Sequence, residues 1–313
     1  MKILLPDTVP LNPALPSGWE AVTIDCREEI PAEHHDAEAL VVWGASRRHL
    51  ASAAENLGQL RLVQSLSAGV EGMLAAGFDE RVAIATGAGL HSLTVSEHAL
   101  ALLLSLVRRL PESLEAQRRS EWSTEIGGLQ PLHPEGRITT LIGARVLIWG
   151  FGQIGQTLAP TLRALGAEVR GAARSAGTRA GFEVIADGDV LAALPEVDVL
   201  IDILPASEAT AGAIGREALA ALPDHALVVN VGRGATVDQT ALREALEAGT
   251  IGGAALDVTD PEPLPADDPL WDAPRLLITP HAAGGRPVGA DERISANVRA
   301  LVDGREILHV ASR

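Results

Sequence analysis

A single cysteine, Cys26, stands among the 313 residues. No internal disulfide can form, and a reducing compartment, the cytoplasm, is the natural setting. The N-terminus, Met1-Lys2-Ile3-Leu4-Leu5-Pro6, lacks signal-peptide anatomy: its apolar run is too short and Pro6 breaks it. Long apolar runs are missing too. The longest, residues 99–107, contains Ser105 and ends at Arg108-Arg109, far short of the roughly 20 residues of a membrane span. Positive charge is scarce, with 25 Lys and Arg against 41 Asp and Glu and a net charge of −16. That balance argues against nucleic acid as the main partner. Any anionic ligand must then be met by buried or focused arginine, against the field of the whole chain. What the chain does have is a 47% share of hydrophobic residues and length enough for two domains.

The most informative segment is Val146-Leu147-Ile148-Trp149-Gly150-Phe151-Gly152-Gln153-Ile154-Gly155. An apolar run ends in G-x-G-x-x-G, and a helical pattern follows at once, from Gln156 to Leu165, closed by Gly166. Strand, glycine turn and helix together form the context in which this fingerprint means dinucleotide binding. Gly150 allows the tight turn, Gly152 lets the backbone approach a pyrophosphate, and Gly155 lets the helix pack close to the strand. The pyrophosphate would sit on the free N–H groups at the helix N-terminus. Pro160, inside that helix, removes one backbone hydrogen bond and predicts a kink.

Upstream, residues 2–5, 21–24, 40–43, 62–65 and 82–85 read as strands and 46–56 as a helix, a parallel α/β alternation. The acidic stretch 28–38, with His34 and His35, reads as a solvated connection; no further ligands cluster there to suggest a metal. Thr94-Val95-Ser96-Glu97 has the form of a capping box opening a helix through residues 99–110. A polar segment, 112–140, leads to the fingerprint strand. Strands recur at 168–172, 184–185, 197–203, 227–231 and 253–256, and residues 290–303 form a last amphipathic helix. The pattern predicts two doubly wound parallel-sheet domains.

Three polar residues follow apolar runs. Arg233 lies in Asn230-Val231-Gly232-Arg233-Gly234, Glu262 in Asp257-Val258-Thr259-Asp260-Pro261-Glu262-Pro263, and His281 in Thr279-Pro280-His281. The C-terminal ends of strands are where open α/β sheets bind ligands. Reducing a 2-keto acid by hydride needs a proton donor at the carbonyl oxygen, and histidine titrates near the operating pH. A carboxylate paired with an imidazole favours the charged ring and fixes its orientation. Arginine can hold a substrate carboxylate and polarise its carbonyl. Taken singly, each motif is equally consistent with an ordinary turn; downstream of a dinucleotide fingerprint they point to catalysis.

These blocks resemble the D-isomer-specific 2-hydroxyacid dehydrogenase family over nearly the whole chain, most strongly from Val146 to His281. Ile203-Leu204-Pro205 and Pro261-Glu262-Pro263-Leu264-Pro265 belong to the resemblance, as do the spacings of 29 residues from Arg233 to Glu262 and 19 from Glu262 to His281. The resemblance implies a Rossmann cofactor domain, residues 93–281, inserted into a flavodoxin-like substrate domain, residues 1–92 plus 282–313. It implies that Arg233 binds and polarises the keto acid, that Glu262 hydrogen-bonds His281, and that His281 gives the proton. Asp257 would meet the nicotinamide carboxamide. Gly150, Gly152, Gln153, Ile154, Gly155, Leu204, Pro205, Val231, Gly232, His281 and Gly284 would line the cofactor. Ser67, Ala68 and Gly69 would offer backbone N–H groups to the substrate carboxylate. Family members usually form dimers through the cofactor domain, here near residues 94–110 and the segment after it. Departures exist. Thr259-Asp260 stand where Phe-Glu often follows Asp-Val, and His91 stands where Asn is common and so is a candidate to line the cleft. No regulatory domain is expected after Arg313.

NAD users place an acid at the end of the second strand of this fold. Here the strand ends Val169-Arg170-Gly171-Ala172-Ala173-Arg174-Ser175. Ala173 occupies the acid's position, and Arg174 and Ser175 are candidates to bind a 2′-phosphate. The expectation is NADP(H) ahead of NAD(H). The expected substrate is a small 2-keto acid such as glyoxylate or hydroxypyruvate. The alternatives are 3-phosphoglycerate oxidation, which would need further cations (Arg47, Arg48, Arg286 and Arg293 are the options), and a cofactor-sensing corepressor-like scaffold. Formate oxidation is disfavoured, because that branch carries Gln where Glu262 stands.

Overall fold

Short apolar runs, buried on both faces, set the architecture of a computed structural model that describes residues 1–312. The chain divides into two units, Met1–His91 with Arg286–Arg313, and Ser92–Gly285. In the first, β1 (Lys2–Pro6), β2 (Glu20–Ile24), β3 (Ala39–Val42), β4 (Leu62–Ser65) and β5 (Ala83–Ala85) form a parallel sheet in the order β2-β1-β3-β4-β5. β3 and β4 are buried at every position, as expected of parallel strands covered on both sides. α1 (Arg47–Asn56) is capped by Ser46, whose hydroxyl accepts from the N–H of His49. A short α2 (Glu71–Leu74) follows β4.

The second unit opens with α3 (Ser92–Val107) and α4 (Leu110–Arg118). The remaining elements are β6 (Arg145–Trp149), α5 (Gln153–Ala164), β7 (Glu168–Ala173), β8 (Gly177–Arg179), β9 (Phe182–Ala186), α6 (Val190–Ala193), β10 (Val199–Asp202), α7 (Arg216–Ala221), β11 (Leu227–Asn230), α8 (Gln239–Ala248), β12 (Gly253–Leu256) and β13 (Leu276–Ile278). The sheet order is β13-β12-β11-β10-β6-β7-β9-β8. Every pairing is parallel except β8 with β9. From β9 to β12 this is the doubly wound dinucleotide-binding order, and the strand order reverses beside β6 and β10, where such folds bind ligands. The first unit gains its last helix, α9 (Ala290–Asp303), after the chain returns.

The predicted strands are present with ends moved by a residue or two, and two expectations change. β8 was not foreseen; it pairs antiparallel with β9 through a two-residue turn at Ala180-Gly181, both with positive φ. The capping signature at Thr94 lies inside α3, which starts at Ser92. Val95 begins the buried stripe continued by Ala99, Leu102 and Leu103, so packing requires the first turn to be formed already. Pro160 is exposed within an unbroken α5, where water can satisfy the carbonyl that its ring leaves without a partner.

Candidate active site

The fingerprint turn is built as glycine requires. Gly150 has φ +101°, and a Cβ there would lie 2.5 Å from the Ile203 carbonyl oxygen. Gly155 packs with only 3.2 Å between a notional Cβ and the Ile148 side chain. Gly152 precedes α5 and faces open space. Gln153, Ile154 and Gly155 form the first turn of α5, whose N–H groups have no partner within a helix. Phe151, 1% exposed, folds back over Gly171, where a Cβ would come within 2.3 Å of its ring. The residues therefore fit an anion at the end of α5: a cradle that a Cβ would fill, and unpaired donors beside it.

At the end of β7, Ala173 leaves the ribose-binding acid absent, and Arg174 and Ser175 are exposed. Arg179, on β8, was not singled out from sequence. Its Nη2 donates to the Ser175 carbonyl and to Ser175 Oγ, both at 3.1 Å. Neither Arg174 nor Arg179 forms an ion pair among the described residues. In a chain of net charge −16, two arginines without carboxylates beside one serine are suited to a phosphate.

Along the ends of β10 and β11 the backbone is tightly tied. Leu204 is buried, Pro205 exposed, and the Leu204 N–H donates to Asp202 Oδ1 at 2.9 Å. Val231 and Gly232 are buried. Asn230 wraps the turn: its Oδ1 accepts from the Gly232 N–H at 2.8 Å and its Nδ2 donates to the Arg233 carbonyl at 3.0 Å. Arg233 is half-buried, with Nη1 donating to the Gly232 carbonyl. Gly234 is pressed against the Thr259-Asp260 backbone, where a Cβ would overlap. The turn that carries Arg233 therefore abuts the loop that carries Glu262.

That loop meets the next strand end in an acid–imidazole pair. Glu262 Oε2 accepts from His281 Nδ1 at 2.8 Å, and Glu262 Oε1 accepts from the Thr259 N–H at 3.0 Å. With Nδ1–H donating, Nε2 is the ring nitrogen left to act on a ligand. The His281 side chain is 49% exposed. Its φ is +51°, an uncommon backbone for a non-glycine residue. The His281 N–H donates to the Asp257 and Thr279 carbonyls at 2.8 and 3.0 Å. Asp257 is 1% exposed. Its carboxylate accepts from Thr279 Oγ1 and from the N–H groups of Ala282 and Ala283. Gly284 is half-exposed just beyond. The sequence named Asp257 for the cofactor; the structure occupies its oxygens mainly in anchoring the His281 loop.

In the other unit, the Leu66–Val70 turn is braced from behind. The Ser67 N–H donates to Ser65 Oγ at 3.0 Å and the Gly87 N–H donates to the Ser67 carbonyl at 2.7 Å. Ala68 is exposed, and Ser67 and Gly69 are half-exposed. His91 Nε2 donates to the Leu66 carbonyl at 2.8 Å, and the ring stacks on Trp43 with centroids 5.2 Å apart. Burial pushes the His91 ring below its ordinary range, outweighing that bond. His35 is used structurally against the Ile30 carbonyl. No group of three His, Cys, Asp or Glu is poised for a metal ion among the described residues. No helix among them is long and apolar enough to cross a membrane.

The family profile described as D-isomer specific 2-hydroxyacid dehydrogenase, NAD binding domain, matches residues 100–283. A glyoxylate/hydroxypyruvate reductase A of Serratia proteamaculans is 34% identical over 284 residues, which is 88% of this chain and 86% of that one. A D-isomer specific 2-hydroxyacid dehydrogenase family protein from Aeromonas salmonicida superimposes with a TM-score of 0.83 at 29% identity, covering 99% and 98% of the two chains. A D-isomer specific 2-hydroxyacid dehydrogenase from Xanthobacter autotrophicus, solved with NADPH and MES, gives a TM-score of 0.79 at 27% identity over 99% and 97%. With its doubly wound cofactor unit and strand-end acid–imidazole pair, the chain belongs to the D-isomer specific 2-hydroxyacid dehydrogenase family, the NAD(P)-dependent oxidoreductases of 2-hydroxy acids.

Proposed function

We propose that this protein is an NADPH-dependent reductase of small 2-keto acids, with glyoxylate and hydroxypyruvate as substrates. The Glu262–His281 pair carries the proposal: a carboxylate 2.8 Å from Nδ1 directs Nε2–H toward a ligand. The nearby reductase of Serratia proteamaculans and the NADPH-bound neighbour from Xanthobacter autotrophicus support substrate and cofactor.

The dinucleotide supplies a hydride to the carbonyl carbon when bound. His281 Nε2–H gives its proton to the carbonyl oxygen as that bond is reduced, so keto acid, hydride and proton become the 2-hydroxy acid. Glu262 accepts from Nδ1–H, fixes the ring's orientation and stabilises the imidazolium, whose Nε2–H is the proton transferred. Arg233 pairs with the substrate carboxylate and draws electron density from the carbonyl. The first unit acts as the substrate domain, where Ala68 and Gly69 offer N–H groups to a carboxylate and the Ser67 N–H is already held by Ser65 Oγ. The second unit acts as the cofactor domain. Gly150, Gly152 and the first turn of α5 hold the pyrophosphate, and Arg174, Ser175 and Arg179 the 2′-phosphate. Leu204, Pro205, Val231, Gly232 and Gly284 line the rest of the cofactor, and Asp257 keeps one edge for the carboxamide. The enzyme works in the cytoplasm as a homodimer.

Initial rates with glyoxylate and hydroxypyruvate, with NADPH and NADH in parallel, test this. Activity well above background with NADPH is expected. His281→Ala should lower kcat by about 10²–10⁴-fold with NADPH binding nearly intact. Survival of turnover in that variant would move the proton donor elsewhere.

A further inference from the structure

His98 lies on α3, and the sequence assigns it no part in the chemistry. Its side chain is 23% exposed. Nε2 lies 3.0 Å from Thr279 Oγ1 and 3.1 Å from Asp257 Oδ1. Thr279 Oγ1 spends its own proton on Asp257 Oδ1 at 2.6 Å. Both neighbours of Nε2 are therefore acceptors toward it, and Nε2 must carry the hydrogen.

The carboxylate it reaches anchors the segment on both sides of His281. Thr279, two residues before, donates its hydroxyl, while Ala282 and Ala283, just after, donate N–H groups at 2.8 and 3.0 Å. His281 itself is tied through its N–H to the Asp257 carbonyl. All of these groups come from the ends of β12 and β13. Of the side-chain donors to Asp257 among the described residues, Thr279 and His98, only His98 comes from a separate helix. That helix is fixed independently: Ser96 Oγ lies 3.2 Å from the Ile154 carbonyl in the first turn of α5, and the buried stripe of α3 belongs to the core. A side chain held by a rigid helix can keep a strained loop in register.

We propose that His98 is a positioning residue for proton transfer: through its Nε2–H contact with Asp257 and Thr279, it sets the orientation in which His281 meets Glu262 and the substrate. The proposal rests on the reductase reading of the same site. In this role His98 acts through Asp257 and Thr279. An angular error at a proton donor costs turnover far more than binding.

Two variants separate positioning from bulk stability. His98→Gln places an N–H at the distance of Nε2, whereas His98→Leu has none. His98→Leu is expected to lose about 10–100-fold in kcat, with the dissociation constant for NADPH within about threefold of the parent. His98→Gln is expected to recover most of that loss. The second readout needs no turnover. In protein labelled with 15N-histidine, the Nδ1–H signal of His281, assigned by its absence in His281→Ala, should shift or broaden in His98→Leu and return in His98→Gln. An unchanged His281 signal in His98→Leu would overturn the proposal, as would kcat at the parental value. If His98→Leu does not fold, His98→Asn, one bond too short, is compared with His98→Gln; equal kcat and equal His281 signals in those two would overturn it. If the parent reduces no keto acid while its His281 signal still responds to His98, the reductase reading fails and the positioning contact stands.

Discussion

Asp202 is wholly buried at the end of β10, with no cation in contact among the described residues. Burial pushes its carboxyl up to about 7, against hydrogen bonds from Thr236 and the Leu204 N–H that act the other way. The geometry favours the protonated acid. Thr236 Oγ1 has one hydrogen but lies 2.5 Å from Asp202 Oδ2 and 2.6 Å from the Arg233 carbonyl. If Asp202 donates, the hydroxyl is free to bond the carbonyl behind Arg233. The sign of the pH effect follows. Between about 4 and about 7 the folded chain keeps a proton that the unfolded chain has released, so stability falls as pH rises through that window and is flat above it. Asp202→Asn carries an N–H where the acid carries its proton. It should abolish this loss and stabilise the fold at pH 8 by on the order of 2–4 kcal/mol. Urea unfolding of both proteins at pH 5 and pH 8 checks it; the same difference at both values would show that Asp202 does not titrate there. At the same scale, Arg179→Ala should raise the KM for NADPH about tenfold and leave that for NADH unchanged. Titration with 2′,5′-ADP and 5′-AMP gives the check without turnover: only the first should weaken. Arg233, Glu262 and His281 could be picked out because each follows an apolar strand in a polar turn. Asp202, His98 and Arg179 could not. Their meaning comes from contacts to residues 34, 181 and 4 positions away, and within their own segments they read as a strand-ending acid, a helix residue and a loop arginine.

Elements were readable wherever burial is two-sided, because a run such as Leu227–Asn230 has no polar face to confuse. β8 is Gly177-Thr178-Arg179, three residues at a sheet edge with no alternation, and its turn uses Ala180 where Asn would advertise the positive φ. The start of α3 was misplaced because a capping signature is local and the buried stripe is not. One contact between elements has its own pH signature. Asp198, just ahead of β10, receives the N–H, Nε and Nη2 of Arg145 at the start of β6, together with His225. Burial pushes its carboxyl up, yet the Arg145 and His225 hydrogen bonds outweigh this and bring it down to about 2. The stability it gives is present above about pH 4 and is lost as pH falls toward 2. Asp198→Asn should therefore cost roughly 2–3 kcal/mol at pH 7, a cost that stays level down to about pH 4 and shrinks as unfolding is measured from there toward pH 2. A cost independent of pH would mean that shape, not charge, joins β6 to β10.

On the scale of the whole chain, the charge problem set by the sequence is met locally. Positive groups gather at the end of α5, at Arg174 and Arg179, and at Arg233, while arginines such as Arg48, Arg61, Arg216 and Arg243 are bound to carboxylates on the surface. Hydrophobic surface is distributed as unevenly as charge. Within the second unit, Leu110 and Leu114 on α4 are about half exposed, and Trp122, Leu129 and Leu132 in the following segment are 94%, 108% and 57% exposed. A groove of about 690 Å³ in the same unit is lined by Leu106, Pro111, Ile138 and Leu276 among others. Leu114 lines that groove together with charged residues of α4, and a second copy related by a two-fold axis would cover the exposed apolar side chains of this segment. The proposed homodimer is therefore expected to run at twice the 32.6 kDa chain mass in light scattering. Trp122→Asp combined with Leu129→Asp places two charges on the segment without touching any buried residue. That variant should shift to the mass of a single chain, with its fold intact by circular dichroism. A double variant that stays at twice the chain mass would locate the contact on another face, and a parent that runs at the single mass would remove the dimer altogether.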